Sequence, residues 1–341
     1  MNSLSTFERA EKITDALVYE GLTLSPTRPT NVQLSQLWKL GGLYPQAYRG
    51  VREGSDACYI QTECLVLGNP HTQLNLRLHF LHLVQHNLGE FTDDPSVEYR
   101  PVESLRVGDK VHYATHQVLK RVCDHTNLPL TLPVQSFAFS FPAFSTTETL
   151  QEPSGKTVGV VIRRHEALAG IIKIVTKCLE DDLYLVTVQV RNRTPLSAEP
   201  RTRADAVMNA FLATQTMLHL TGGEFISAND PPAEYRPMTM LCENIRTHPV
   251  LTGNPGDHDL MLSLPILLPD YPSMTPATSL PQETQVDQTL GLRPTPATRP
   301  QKFEVRYSDE RASFNAEGTD SLSPQIFRRL HSATPSFTEK S

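Results

Sequence analysis

Alternation of apolar and polar side chains organises the first two thirds of the chain. Across residues 72–84, Leu74, Leu76, Leu78 and Phe80 fall on one side and Asn75, Arg77 and His79 on the other. A period of two is that of a β-strand, and the pattern predicts a sheet with one buried face. Phe137, Phe139 and Phe141 repeat it and stop at Pro142. Residues 57–67 are rich enough in apolar side chains to form a further strand. Between 157 and 194 three strands follow one another, the last two joined through Glu180, Asp181 and Asp182. Connections this short imply antiparallel neighbours, because a parallel return needs a crossover of about a dozen residues. Val107-Gly108-Asp109 reads as a tight turn between two short strands.

Helical spacing is confined to the margins. Phe7, Ala10, Ile13, Ala16 and Leu17 recur with a helical period over residues 5–17, and Ser5 with Glu8 has the form of a capping box. Gly21 is placed to end that helix. Residues 203–212 predict a short second helix with Thr202 and Asp205 at its start. A strand over residues 217–227 is interrupted by Gly222-Gly223. Residues 260–268 form the last strongly apolar run, in which Pro265 suggests an edge strand or a bulge. The expected fold is therefore mostly β, with α+β character at the margins. It is an antiparallel sandwich-like body with an N-terminal helix.

Composition sets the limits of that body. Beyond Pro272 the chain turns to Pro, Thr, Ser and Gln, which bury too little apolar area to offset chain entropy. Residues 1–272 are thus expected to form the globular body, either as one sheet system or as two sub-domains meeting near 150. Residues 273–341 are expected to form an extended, Pro/Thr-rich tail. Trp38, the single tryptophan, reads as an apolar anchor. The net charge of -6 lacks the basic excess a nucleic-acid binder needs. No apolar run reaches the ~20 residues of a membrane span. The N-terminus lacks the basic and apolar regions of a signal peptide, so a cytoplasmic protein is expected. Five scattered cysteines then read as free thiols.

Two groups of residues invite a chemical reading. Asp257-His258-Asp259 places a histidine between two carboxylates at the mouth of the apolar run. Such a histidine has its charged form favoured and serves as an acid, a base or a metal ligand. Consecutive residues of an extended chain nevertheless point to opposite sides, so the alternative is a polar turn before a buried strand. His79, His82 and His86 form the second group. On one strand His82 and His86 share a face and His79 opposes them, which leaves His82, His86 and His258 as metal candidates. No nucleophile elbow, His-Glu-x-x-His motif, Cys-x-x-Cys motif or phosphate-cradling glycine loop accompanies either group. The balance favours a protein that is not an enzyme, with no cofactor expected.

Several segments together carry a resemblance. They are Asp15-Ala-Leu-Val-Tyr-Glu-Gly21, Gly41-Gly-Leu-Tyr-Pro45, Gln61-Thr-Glu-Cys-Leu65, Gly223-Glu-Phe-Ile-Ser227 with Asp230-Pro-Pro232, and above all the stretch from His258 to Pro272. These resemble an uncharacterised bacterial protein family associated with nickel-iron hydrogenase gene clusters. The resemblance implies an accessory role in hydrogenase maturation or assembly, with a hydrogenase component as partner. It implies no reaction and no catalytic residues. The family's acidic segment after Pro272 is replaced here by Thr275-Pro-Ala-Thr278 and Glu283-Thr-Gln-Val-Asp287.

Overall fold

A computed structural model describes residues 7–15, 41–92, 98–198, 200 and 202–272. Trp38, the Ser5 cap, the Gly21 stop and the tail at 273–341 lie outside the described residues. The body is mostly β, antiparallel and built from two facing sheets. Both sheets take strands from either side of residue 150.

Strand β2 (Gln73–Phe91) is the longest and the most connected. Over its first half it lies between β12 (Leu212–Thr221) and β6 (Thr115–Pro129). Over its second half it pairs with β9 (Thr157–His165) and β3 (Tyr99–Val102). Beyond β12 come β15 (Leu260–Leu264) and β14 (His248–Leu251), and beyond β9 comes β8 (Phe144–Gln151). The second sheet runs β13 (Glu224–Phe225), β1 (Tyr59–Leu67), β11 (Leu183–Asn192), β10 (Leu168–Glu180), β7 (Val134–Phe141). The hairpin of β4 (Ser104–Val107) and β5 (Lys110–Tyr113) turns at Gly108, whose φ of 58° suits glycine.

The sheets meet through aromatic side chains. Phe80 of β2 stacks on Phe211 at 4.5 Å and meets Phe141 of β7 edge-on at 5.8 Å. Gly170 of β10 makes room for this layer, since a Cβ there would collide with the Phe139 ring. On the far side the sheets are tied by hydroxyls: Thr62 of β1 meets Ser263 of β15 at 2.6 Å, and Thr247 meets the same oxygen at 2.8 Å. A separate apolar cluster of Leu88, Leu105, Leu150 and Val161 fills the space under the second half of β2.

The helix of residues 7–15 (α1) covers the outer face of β2. Phe7, Ala10 and Ile13 pack on Met217, Leu260 and Leu262. Arg77 donates to both carboxylate oxygens of Asp124 on β6 at 2.7 Å, reaches Glu11 of the helix at 3.0 Å, and lies 4.9 Å from the Phe7 ring. Lys120 adds Asp15 at 3.1 Å. The expectation of one buried face on this strand is thus corrected: both are buried, because a helix covers the polar one.

Other departures follow from how the strands pair. The antiparallel unit expected at 157–194 divides: β10 and β11 pair, but β9, joined to β10 by the two-residue link at 166–167, lies in the other sheet. The link at 142–143 likewise joins β7 and β8 across sheets. The apolar run at 260–268 ends as a strand at Leu264, before Pro265. It sits inside the sheet between β12 and β14, so it is neither an edge nor a bulge. Thr202 and Asp205 start the expected helix, where they form a capping box, but it ends at Val207 (Arg203–Val207, α2) rather than running to 212, where β12 begins.

Phe80→Ala removes the ring shared by both sheets and is expected to cost ~3–5 kcal/mol in urea unfolding. Phe144→Ala, at a half-exposed ring, should cost about 1 kcal/mol or less. Equal losses at the two positions would contradict this account of the core.

Candidate functional site

The carboxylates and histidine at 257–259 diverge. Asp257 turns back to accept hydrogen bonds from the backbone and side-chain nitrogens of Asn254, at 2.8 and 2.9 Å, and closes a turn. His258 donates through Nδ1 to the Phe225 carbonyl at 3.3 Å, while the Phe225 amide donates to the His258 carbonyl at 2.7 Å. These bonds clip β13 to the turn. Asp259 points the other way, with its carboxylate 3.5 Å from Nε2 of His219 on β12. The apolar run thus starts at a turn whose three ionisable side chains serve three different partners.

His219 is the residue that sequence reading missed. The register His219↔Leu260 brings it beside Asp259, a proximity forty residues of chain conceal. Its Nδ1 lies 3.2 Å from the amide nitrogen of Asn75. An amide nitrogen can only donate, so Nδ1 accepts and the proton sits on Nε2, facing Asp259. Asn75 is fixed in turn: its oxygen accepts from the Asn127 amide at 3.0 Å, and its nitrogen also reaches the Thr221 hydroxyl at 3.3 Å. The result is an Asp–His–Asn chain in which Nδ1 is taken. It has no ring nitrogen left to activate a hydroxyl, so it lacks the geometry of a nucleophilic triad.

The strand histidines separate in the same manner. His82 faces the space between the sheets, where Nε of Arg121 donates to its Nδ1 at 3.3 Å. A second nitrogen of Arg121 approaches Nε2 of His165 at 3.4 Å, and the guanidinium lies 4.7 Å from the Phe141 ring. A guanidinium cannot accept, so both ring nitrogens that face it are unprotonated and both histidines are neutral there. Arg121, His82 and His165 are all buried. Burial holds the His82 pKa down to about 3, with His165 and Arg121 adding to the effect. His79 lies on the opposite face, with neither ring nitrogen bonded among the described residues, and burial, with Lys120 and Arg77 nearby, depresses its pKa likewise to about 3. His86 is lowered by burial and by Arg163 and His116, a different neighbourhood from that of His82. Among the described residues no group of three or more His, Cys, Asp or Glu side chains is arranged to hold a metal ion. All five cysteines are unpaired thiols.

A surface recess of about 600 Å³ opens beside this cluster, lined among others by Ala143, Glu166, Leu196, Asp205 and Asn209. None of Asp257, His258, Asp259, His82 or His86 lines it. Asp205 is already committed, accepting from the Thr202 amide and hydroxyl at 3.0 and 2.9 Å. No protein-family model matches the chain, and no curated protein does.

The buried histidines set a pH dependence. Each has a folded pKa below its unfolded value of 6.5, so the unfolded chain takes up the proton first as pH falls. Their neutral burial therefore contributes full stability above pH 6.5, and this is lost as pH falls toward 3. Each site adds up to ~1.4 kcal/mol per pH unit in that window. Melting temperatures should drop from pH 7 to pH 5, and His79→Leu should make the drop shallower. An unchanged slope in that variant would contradict the assignment.

Proposed function

We propose that this chain is a non-catalytic accessory protein that binds another protein, and that its setting is the cytoplasmic assembly or maturation of a nickel-iron hydrogenase. The setting rests on the resemblance carried by Gly41–Pro45, Gln61–Leu65, Gly223–Ser227 and the stretch ending at Pro272. The observation that carries the binding reading is the body's surface. Among the described residues the strand at 134–141 has one edge without a strand partner, and exposed apolar side chains stand near it: Leu132 at 49%, Val134 at 55% and Phe144 at 53%. Isolated apolar residues are ordinary on a surface, but such side chains bordering an open edge suit protein contact. An acidic excess of charge speaks against nucleic acid as the partner. No helix among the described residues is long and apolar enough to cross a membrane.

Affinity purification of the tagged chain from its host, grown under hydrogenase-expressing conditions, is expected to recover a hydrogenase subunit or maturation factor. Recovery of neither would count against the reading.

One contact motivates a second reading, in which the 257–259 segment handles a metal ion. It is the approach of Asp259 to His219, which keeps a half-exposed carboxylate beside an imidazole. Elemental analysis of the purified protein and the variant His258→Ala discriminate the two. Metal-free protein whose host phenotype survives His258→Ala would remove this second reading.

A further inference from the structure

We propose that β7 accepts an added β-strand from the partner protein, and that the strand it fits is apolar on its inward side and acidic on its outward side. This rests on the protein-binding reading above and specifies its site and its ligand.

Open sheet edges are a hazard that proteins usually blunt with charge, proline or shortness. Among the described residues the other outer strands are covered or blunted. β13 has two residues, and its Phe225 amide donates to the His258 carbonyl. β14 has four with Pro249 among them, and its Leu251 carbonyl accepts from the Tyr271 amide. β6 carries Lys120, Arg121 and Asp124. β8 carries Glu148, which pairs with Arg163 of β9 at 3.1 Å. β7 reads Val134-Gln-Ser-Phe-Ala-Phe-Ser-Phe141, with no charge and no proline. It pairs with β10 without a register shift from Val134↔Val175 to Phe141↔Leu168. Its other edge has no strand partner among the described residues. The straight, uncharged edge is a template for main-chain pairing.

The two faces of β7 define what can be added. Phe139 and Phe141 point inward and are buried, and Phe137 is half-buried with its ring stacked 4.1 Å from that of His125. The inward side of a new strand continues this aromatic row and meets exposed apolar residues near both ends, Leu132 and Phe144. The outward side of β7 is small and exposed: Ser136, Ala138 and Ser140 follow Val134. Behind that strip, Lys173 of β10 lies directly opposite Ser136, and Lys177 is exposed further along. Successive strands are ~4.8 Å apart, so an added strand lies ~10 Å from β10, within reach of a lysine crossing a row of serine and alanine. Among the described residues no carboxylate occupies the outward positions of β7 or of the part of β10 opposite it; Glu180 stands past a register shift at the far end of β10. Glutamate or aspartate on the outward face of the newcomer supplies one.

The same charge disfavours a second copy of this chain. Antiparallel β7–β7 pairing would aim Lys173 of each copy at a strip that holds no carboxylate.

The test uses the full chain and three short capped peptides. One alternates valine with glutamate, one alternates valine with lysine, and one repeats the glutamate peptide with alternate amides N-methylated. Binding by fluorescence polarisation is expected to favour the glutamate peptide over the lysine peptide by ~10-fold or more. N-methylation of the amides facing β7 should abolish binding, and Lys173→Glu should reverse the charge preference while leaving the melting temperature in place. Equal binding of the two charged peptides, or indifference to N-methylation, would overturn the proposal. So would concentration-dependent dimerisation that Ala138→Lys removes, since β7 would then be covered by a second copy. If the peptides fail while affinity purification still recovers a hydrogenase component, the protein-binding reading stands and β7 is not its site. If both fail, both are removed.

Discussion

Burying a strand on both faces is the constraint on which the rest of this structure depends. β2 presents Leu74, Leu76, Leu78 and Phe80 to the opposite sheet and Asn75, Arg77 and His79 to the layer outside. A polar group taken out of water costs free energy unless something replaces its hydrogen bonds. Arg77 meets that demand through Asp124 and Glu11, and Asn75 through Asn127, His219 and Thr221. The covering helix α1 is therefore required by the sequence of β2 as much as by its own apolar face. Removing one partner of such a group leaves the other stranded, which couples the helix, β6 and β12 through a single strand.

The same demand explains where the histidines stand. His82, His165 and His219 are placed by what their ring nitrogens can accept or donate, each inside the fold's own hydrogen bonding. Among the described residues neither ring nitrogen of His79 has a partner, and burial disfavours its charged form. Asp257 and His258 likewise close a turn and clip a short strand. Apart from His79, these histidines and Asp257 thus take part in the fold's own hydrogen bonding.

Much of the architecture was legible in the chain. The alternation at 74–80 and at 137–141 marked two strands that face one another, and Thr202 with Asp205 marked a helix start. Period alone could not say which sheet a strand joins. The short links at 142–143 and 166–167 suit a hairpin and a corner equally, and the choice is made by long-range pairing with β2 and β10. The polar face of β2 read as solvated because its cover comes from a helix some sixty residues earlier. For the site, sequence proximity drew attention to Asp257, His258 and Asp259, whereas the contacts that matter, Asp259 with His219 and Arg121 with His82 and His165, join residues far apart in the chain. The lack of charge in β7 was visible throughout, but its meaning depends on that strand being an edge.

Native-state hydrogen exchange tests this picture at its centre, because it reads the buried spine and the open edge in one experiment. Amides of β2 between Leu74 and Val84 should exchange only through global unfolding, while the amides of β7 that point away from β10 exchange orders of magnitude faster. A β7 protected throughout to the level of β2 would contradict the account, since the edge assigned to a partner would already be occupied.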